Sequence, residues 1–353
     1  LTVTDASGNE STASATVTVL DAIAPLVVAQ DITVQLDANG AAMITTSDID
    51  NGSSDNCGIS SMVLSKTEFD CSDLGSNTVV LTVTDGSGNV STMTAEVEVE
   101  DTILPTVVTQ DLTIVLDANG EGMITTTDID NGSSDNCGIA SMVLSKTEFD
   151  CSAIGDNTVT LTVTDTSGNV STGTATVTVE DTTAPTVMTE DVTVYLNANG
   201  EASITVSQID AGSSDNCGIA SMVLDVTDFT CDDIGANEVT LTVTDASGNE
   251  STASATVTVL DAIAPLVVAQ DITVQLDANG AAMITTSDID NGSSDNCGIS
   301  SMVLSKTEFD CSDLGSNTVV LTVTDGSGNV STMTAKVDRK STRLTPVTWP
   351  SRM

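Results

Sequence analysis

Thr78-Val-Val-Leu-Thr-Val-Thr-Asp85-Gly-Ser-Gly-Asn89 and the run that follows it, Val90-Ser-Thr-Met-Thr-Ala95-Glu-Val-Glu-Val-Glu100, decide how this chain folds. Val79, Leu81 and Val83 alternate with Thr78, Thr82 and Thr84; Met93, Ala95, Val97 and Val99 alternate with Thr92, Thr94, Glu96 and Glu98. A period of two places apolar side chains on one face of a strand and polar ones on the other. Between the runs, Asp85 to Asn89 offers the Asp, Gly and Asn that a tight reversal needs, so the stretch reads as a β-hairpin with a charged outer face.

The residues upstream repeat the logic. Ile32, Val34 and Leu36 alternate with Thr33 and Gln35, and Asp37-Ala-Asn39-Gly40 turns the chain into a return strand over 43–46. After a polar loop from Ser47 to Gly58, Ile59 to Leu64 form a further strand and Thr67 to Phe69 a short one. No helical period competes. Short strands, frequent turns and about 80 residues predict an all-β fold, a Greek-key β-sandwich of immunoglobulin-like type. Six strands, an even number, would bring the two ends of the bead together and bend the array, whereas a seven-strand order would set them apart.

The hairpin phrase recurs. Leu-Thr-Val-Thr-Asp opens at residues 1, 81, 161, 241 and 321, and residues 1–95 return unchanged at 241–335. A period of 80 is too long for a solenoid and suits a small self-contained domain, so the chain reads as beads in a row. The boundaries are 1–23 for the C-terminal hairpin of a preceding repeat, then complete repeats at 24–103, 104–183 and 184–263. A fourth repeat follows at 264–337 with its last strand cut short. Leu1 falls inside a unit, so the sequence reads as a fragment of a longer array. Asp338-Arg-Lys-Ser-Thr-Arg-Leu344 resembles the translation of a widely used sequencing adapter. Residues 338–353 are therefore expected to be a library artefact and a non-native tail, a basic anchoring tail being the other reading.

Before Lys336, Lys66, Lys146 and Lys306 are the cations set against nearly all of the 51 acidic residues, and the net charge is −43. Nucleic acid and anionic membranes would be repelled, and no apolar run is long enough to insert in a bilayer. Alternating Val, Ile, Leu and Thr separate this acidity from that of a disordered chain. The core is poor in aromatics, so a covalent staple is expected. Each repeat has two cysteines: Cys57 and Cys71, Cys137 and Cys151, Cys217 and Cys231, Cys297 and Cys311. The leading expectation is a local disulfide within each repeat, adding about 3 kcal/mol and implying an oxidising compartment. Free buried thiols and bridges across junctions, such as Cys71 to Cys137, stay open. Zinc is disfavoured, because two thiolates per repeat and no His cannot close a tetrahedral site.

Leu81-Thr-Val-Thr-Asp-Gly-Ser-Gly-Asn89, the alternating strand after it, and Glu100-Asp101-Thr-Ile-Leu-Pro105 resemble the hyalin-repeat (HYR) and PKD-like group of immunoglobulin-like modules. Such modules stand in tandem on bacterial surface proteins and in animal extracellular proteins. Asp55-Asn-Cys57 and Phe69-Asp-Cys71 depart from the usual cysteine positions, and with the scarcity of Lys they resemble repetitive adhesins of marine Bacteroidetes. The resemblance implies adhesion or display at a cell surface, in a bacterial secreted protein, and no catalytic residues.

The densest polar loop, Asp48-Ile-Asp50-Asn51-Gly52-Ser-Ser-Asp55-Asn56, carries hard oxygen ligands at close spacing, the chemistry Ca2+ takes. Asx turns that satisfy their own backbone explain the same composition. In the third repeat Asp48 becomes Gln208 and Asn51 becomes Ala211, while the others persist. The candidate ligands are thus Asp50, Asp55 and Asn56, with Asp130, Asp135 and Asn136, Asp210, Asp215 and Asn216, and Asp290, Asp295 and Asn296. The linker acids Asp101, Asp181 and Asp261 join them, on the expectation that carboxylates converge at each junction and need a cation. In a seven-strand order the Asp85 to Asn89 turn shares the end of the bead with this loop and the preceding linker, but the Asp-x-Ser-Gly-Asn turns are read as hairpin geometry and not as ligands. Together these point to a structural stalk or spacer of a large surface adhesin, its partners being the neighbouring repeats. The alternative is that each repeat is a Ca2+-dependent glycan- or protein-binding module, and with no His and no nucleophile motif an enzyme is not expected.

Overall fold

In the computed structural model, residues 1–339 are described, with side chains through Asp338. Residues 340–353, most of the stretch read as a non-native tail, lie outside the described residues. The chain forms two compact units, Leu1–Leu116 with Glu121–Glu180, and Asp117–Gly120 with the residues from Asp181 onward.

The bead 24–103 shows the plan. Its larger sheet has four strands in the order Ile32–Gln35, Val90–Glu100, Gly75–Asp85, Ile59–Leu64, and its smaller sheet pairs Ala41–Met43 with Glu68–Asp70. The hairpin strands are eleven residues each and pair from Thr84↔Val90 to Gly75↔Val99. Val79, Leu81, Val83 and Val97 are wholly buried, with Ile49 and Phe69 filling the space between the sheets. The alternation that defined the hairpin is thus the division between core and solvent, and the bead is the expected Greek-key sandwich. The other beads repeat it.

The first strand lies parallel to the last, Ile32↔Val97 to Gln35↔Glu100, so the chain comes in at one end of the bead and leaves at the other. The even strand count misleads because one reversal is missing. Between Ile59–Leu64 and Glu68–Asp70 the chain crosses from the larger sheet to the smaller through Ser65–Thr67 without turning back.

A helical turn, Thr46–Ile49, stands where a plain loop was expected. Asp48 accepts hydrogen bonds from the Thr45 N–H at 2.6 Å and the Thr45 hydroxyl at 2.7 Å, the reciprocal cap that Thr-x-x-Asp can make. Gln208 does the same for Thr205 at 2.9 and 3.0 Å, which explains that substitution: the cap is kept. Asp48→Ala is therefore expected to cost about 1 kcal/mol in thermal unfolding, and Asp48→Gln less than half of that.

The cysteines overturn the local pairing. Cys71 is bonded to Cys137 and Cys231 to Cys297, each pair 66 residues apart with Cα atoms 5.3 Å apart; Cys151 and Cys217 are also disulfide-bonded. Cys57 and Cys311 are exposed free thiols. The reason is geometric. The six-residue strand Ile59–Leu64, about 20 Å long, separates Cys57 from Cys71, and a disulfide cannot span a bead.

The fourth bead continues past the expected end at 337. Asp338 and Arg339 extend the strand Val330–Arg339, pairing with Thr273 and Val274.

Candidate metal centre at the bead junctions

Three local features build the site. Gly138, at φ 97°, swings the chain out of the Asp135-Asn136 loop, and Ile139 then pairs with Asp165, with a bulge before Ser141. That pairing lays the loop over the hairpin turn. Asp165 closes the turn: one carboxylate oxygen accepts the Ser167 N–H at 2.9 Å and the Asn169 N–H at 2.8 Å, the other the Asn169 side-chain amide at 2.8 Å.

Asn169 then grips the linker. Its amide nitrogen also donates to the carbonyls of Asp101, at 3.0 Å, and Ile103, at 3.3 Å, which carries the Asp101 side chain to the same place. Asn136 donates to the Asp101 carboxylate at 3.1 Å and to the Asp37 carbonyl of the preceding bead at 3.2 Å. The 37–40 turn of that bead fits close under the Cys71–Cys137 bridge. A Cβ on Gly40 would lie 2.6 Å from Cys71 Sγ and 3.0 Å from the Asn136 carbonyl oxygen, so this turn needs glycine for space as well as for its φ of 71°. Asn296 makes the equivalent contacts with Asp261, at 3.1 Å, and the Asn197 carbonyl, at 3.3 Å.

The outcome is a triad of carboxylates. One oxygen from each of Asp101, Asp135 and Asp165 lies within 4.8 Å of the others, and the same holds for Asp21, Asp55 and Asp85, for Asp181, Asp215 and Asp245, and for Asp261, Asp295 and Asp325. Asp101 is 5% exposed and Asp165 1%. At 4.8 Å each pair of charges repels by roughly 3.5 kcal/mol at an effective dielectric of about 20. In the fourth bead Asp261, 7% exposed, has a buried Oδ2 with no hydrogen-bond partner, as do Asp295 Oδ1 and Asn296 Oδ1. Asp135 Oδ1, Asn136 Oδ1 and Asp215 Oδ1 are orphaned in the same way. Buried oxygens without donors, among converging carboxylates, form the donor set a hard cation takes.

Of the residues singled out in the sequence, the structure brings together the linker acids Asp101, Asp181 and Asp261 with Asp135, Asp215 and Asp295, and sets Asn136, Asn216 and Asn296 against them. Asp55 and Asn56 lie likewise beside Asp21. Asp50, Asp130, Asp210 and Asp290 stand outside the triads. Each folds back on its own turn, Asp50 accepting the Ser53 N–H at 3.0 Å and Asp130 the Ser133 N–H at 3.0 Å. Asp210 and Asp290 do the same for Ser213 and Ser293. Hydrogen bonding to Ser53 holds the Asp50 carboxyl below the usual carboxylate range.

The third triad member was missed. Asp85, Asp165, Asp245 and Asp325 were read as hairpin geometry, and they are both turn and triad members. Burial pushes the Asp85 and Asp245 carboxyls up, but hydrogen bonds from Asn89 and Asn249 outweigh it and leave them lowered, ready to stay ionised. A hairpin needs only Asn-Gly or Asp-Gly; Asp and Asn kept together, four residues apart, in every copy was the available signal.

No protein-family profile matches the chain. It is similar to hyalin of Strongylocentrotus purpuratus, 31% identical over an alignment of 349 positions that covers 92% of this chain and 28% of hyalin. The chain thus spans under a third of the length of the curated relative it matches. That organism is an animal, so the match gives no support to a bacterial origin. Among solved structures, protocadherin gamma B2 extracellular cadherin domains 1–5 align over 90% of this chain and 81% of their own, at 14% identity and a TM-score of 0.29. Sidekick-1 immunoglobulin domains 1–5 align over 88% of this chain and 79% of their own, at 9% identity and a TM-score of 0.33. The site rests on the distances above and not on these likenesses.

Proposed function

We propose that this chain is a spacer segment of an extracellular repetitive adhesion protein, its junctions stiffened by Ca2+ held between linker, loop and hairpin. The observation that carries this reading is the set of orphaned oxygens at Asp261, Asp295 and Asn296 inside a triad of carboxylates. Asp101, Asp135, Asp165 and the Asn136 amide oxygen would hold one ion, with water or carbonyl oxygens completing the shell. A bound cation would offset the repulsion within the triad and join the linker to the following bead. Disulfides that cross junctions suit the oxidising space outside a cell.

The alternative, Ca2+-dependent capture of a glycan, needs an ion with an open face. At 5% and 1% exposure, Asp101 and Asp165 would enclose theirs. The test is calorimetric unfolding of the whole chain in millimolar Ca2+ and in EDTA. An ion present at 100 times its dissociation constant adds about 2.7 kcal/mol per site, which would appear as a clear rise in the melting transitions. Superimposable traces would sink the cation reading.

A further inference from the structure

The Asn-x-Ser signal for N-linked glycan stands in two places in a bead. One is the hairpin, Asn89-Val-Ser91, with Asn169, Asn249 and Asn329 at the same position. The other is the loop after the helical turn, Asn51-Gly-Ser53, repeated as Asn131-Gly-Ser133 and Asn291-Gly-Ser293; the third bead has Ala211 there. The fold treats the two differently. The hairpin amide is fully engaged: Asn169 Nδ2 has two hydrogens and serves three acceptors, the Asp165 carboxylate at 2.8 Å and the carbonyls of Asp101 and Ile103 at 3.0 and 3.3 Å. A sugar on this nitrogen would replace one hydrogen and need the space that the linker fills. The loop amide is idle. Asn131 is exposed, and its side chain makes no hydrogen bond among the described residues. Its backbone is held all the same, the Asn131 N–H donating to the Val108 carbonyl at 2.9 Å and the Ser133 N–H to Asp130 at 3.0 Å. Gly132 between them has a φ of 94°, and a Cβ built on it meets nothing within 4 Å, so the space beside the amide is open.

We propose that Asn51, Asn131 and Asn291 are acceptor sites for N-linked glycan when the chain passes through a eukaryotic secretory route, and that the hairpin asparagines are not. The donor is an oligosaccharide carried on a lipid pyrophosphate. The asparagine amide nitrogen bonds to the anomeric carbon of the first sugar, the bond from that carbon to the pyrophosphate breaks, and the amide proton leaves with the lipid pyrophosphate. Ser53 Oγ accepts the Val28 N–H at 2.9 Å in the folded bead, so transfer takes place on the unfolded chain and the fold then decides which products it can hold. The loop holds its product without losing a bond. A hairpin asparagine so modified could not grip the linker, and its junction would stay open. Asp130, the neighbour of Asn131, lies outside the carboxylate triads, so a bulky and solubilising branch here leaves the junction site clear. The first, second and fourth beads thus carry sugar and the third is bare. This rests on the extracellular reading and uses neither the cation nor the spacer role.

Secretion of the full chain from cultured animal cells tests it. Asn9→Gln serves as the background, because that hairpin asparagine bonds through its side chain to Asp5 alone and grips no linker. Peptide N-glycosidase should lower the intact mass of the secreted chain by three glycans, and glycopeptide mass spectrometry should find sugar on Asn131 and none on Asn169. The triple variant Asn51→Gln/Asn131→Gln/Asn291→Gln should be secreted, melt as the parent does and be indifferent to the enzyme. Ala211→Asn, which writes the missing signal into the same exposed loop ahead of Gly212 and Ser213, should gain a fourth glycan. Sugar on Asn169 in the secreted chain, a mass that the glycosidase leaves unchanged, or an Ala211→Asn chain no heavier than its parent would each overturn the proposal. The host supplies the transferase and the donor, so bare loops would count against these sites and leave the extracellular reading standing.

Discussion

Placing serine at both Cys71 and Cys137 should lower the unfolding free energy of the two beads they join by about 4 kcal/mol, on the chain-entropy account of a 66-residue loop. The bridge closes a segment that runs from the middle of one bead, through its hairpin and the linker, into the next, so its loss frees the junction as well as the unfolded chain. In calorimetry of the full chain the affected transitions should fall by roughly 15 °C or more. Cys57→Ser is the matched control. Its thiol is free and exposed, and the Asp21 carboxylate beside it, first by hydrogen bonding and then by charge, keeps it protonated. That change should stay within about 0.5 kcal/mol. Equal effects from the two variants would mean that the bridge contributes nothing to stability.

Asp165→Ala should be nearly as damaging, at about 3 kcal/mol, and for a different reason. Asp165 is 1% exposed and accepts from two backbone N–H groups and one side-chain amide. Alanine leaves the part-buried Ser167 and Asn169 backbone N–H groups without this acceptor, and an unsatisfied buried group costs about 1–3 kcal/mol. Part of that is returned in EDTA, because one charge leaves the triad with Asp101 and Asp135. The loss should therefore be larger in Ca2+ than in chelator. Asp165→Asn keeps an oxygen for the Ser167 and Asn169 N–H groups, yet it sets an amide against the Asn169 amide and removes a charged ligand. It should unfold at a higher temperature than Asp165→Ala and show a weakened response to Ca2+. A full response in Asp165→Asn would place the ion elsewhere.

The strands were legible because a period of two records the same physics that buries them: Val79, Leu81 and Val83 are wholly buried, and Thr78, Thr82 and Thr84 beside them are not. The cap at Thr45 to Asp48 was equally local and could have been read, since Thr-x-x-Asp followed by Ile states it. The site was only half legible. Persistence across copies singled out Asp135 and Asn136, which the structure sets beside Asp101, but it singled out Asp130 as well, which persists for the sake of its own turn. Local recurrence does not separate a residue kept for its turn from one kept for a ligand. Asp165 closes its turn and belongs to the triad, and the turn was sufficient to explain it.

Residues 1–20 and 241–260 are the same twenty amino acids, and they divide what sequence determines from what it does not. Both copies make the Asp-x-Ser-Gly-Asn reversal, Asp5 and Asp245 each accepting the backbone N–H of the Asn four residues on, because a turn is made of its own residues. Only the second copy completes the strand, Glu250–Leu260, with Val257 and Val259 buried, whereas Val17 and Val19 are 83% and 89% exposed and the strand stops at Thr12. The difference is the parallel strand Val192–Tyr195 and the core behind it, which the second copy has and the first lacks among the described residues. The cysteines follow the same rule. Their number and spacing are written in the sequence, but a strand about 20 Å long holds the two of one bead apart, and only the packing of one bead on the next brings Cys71 to Cys137.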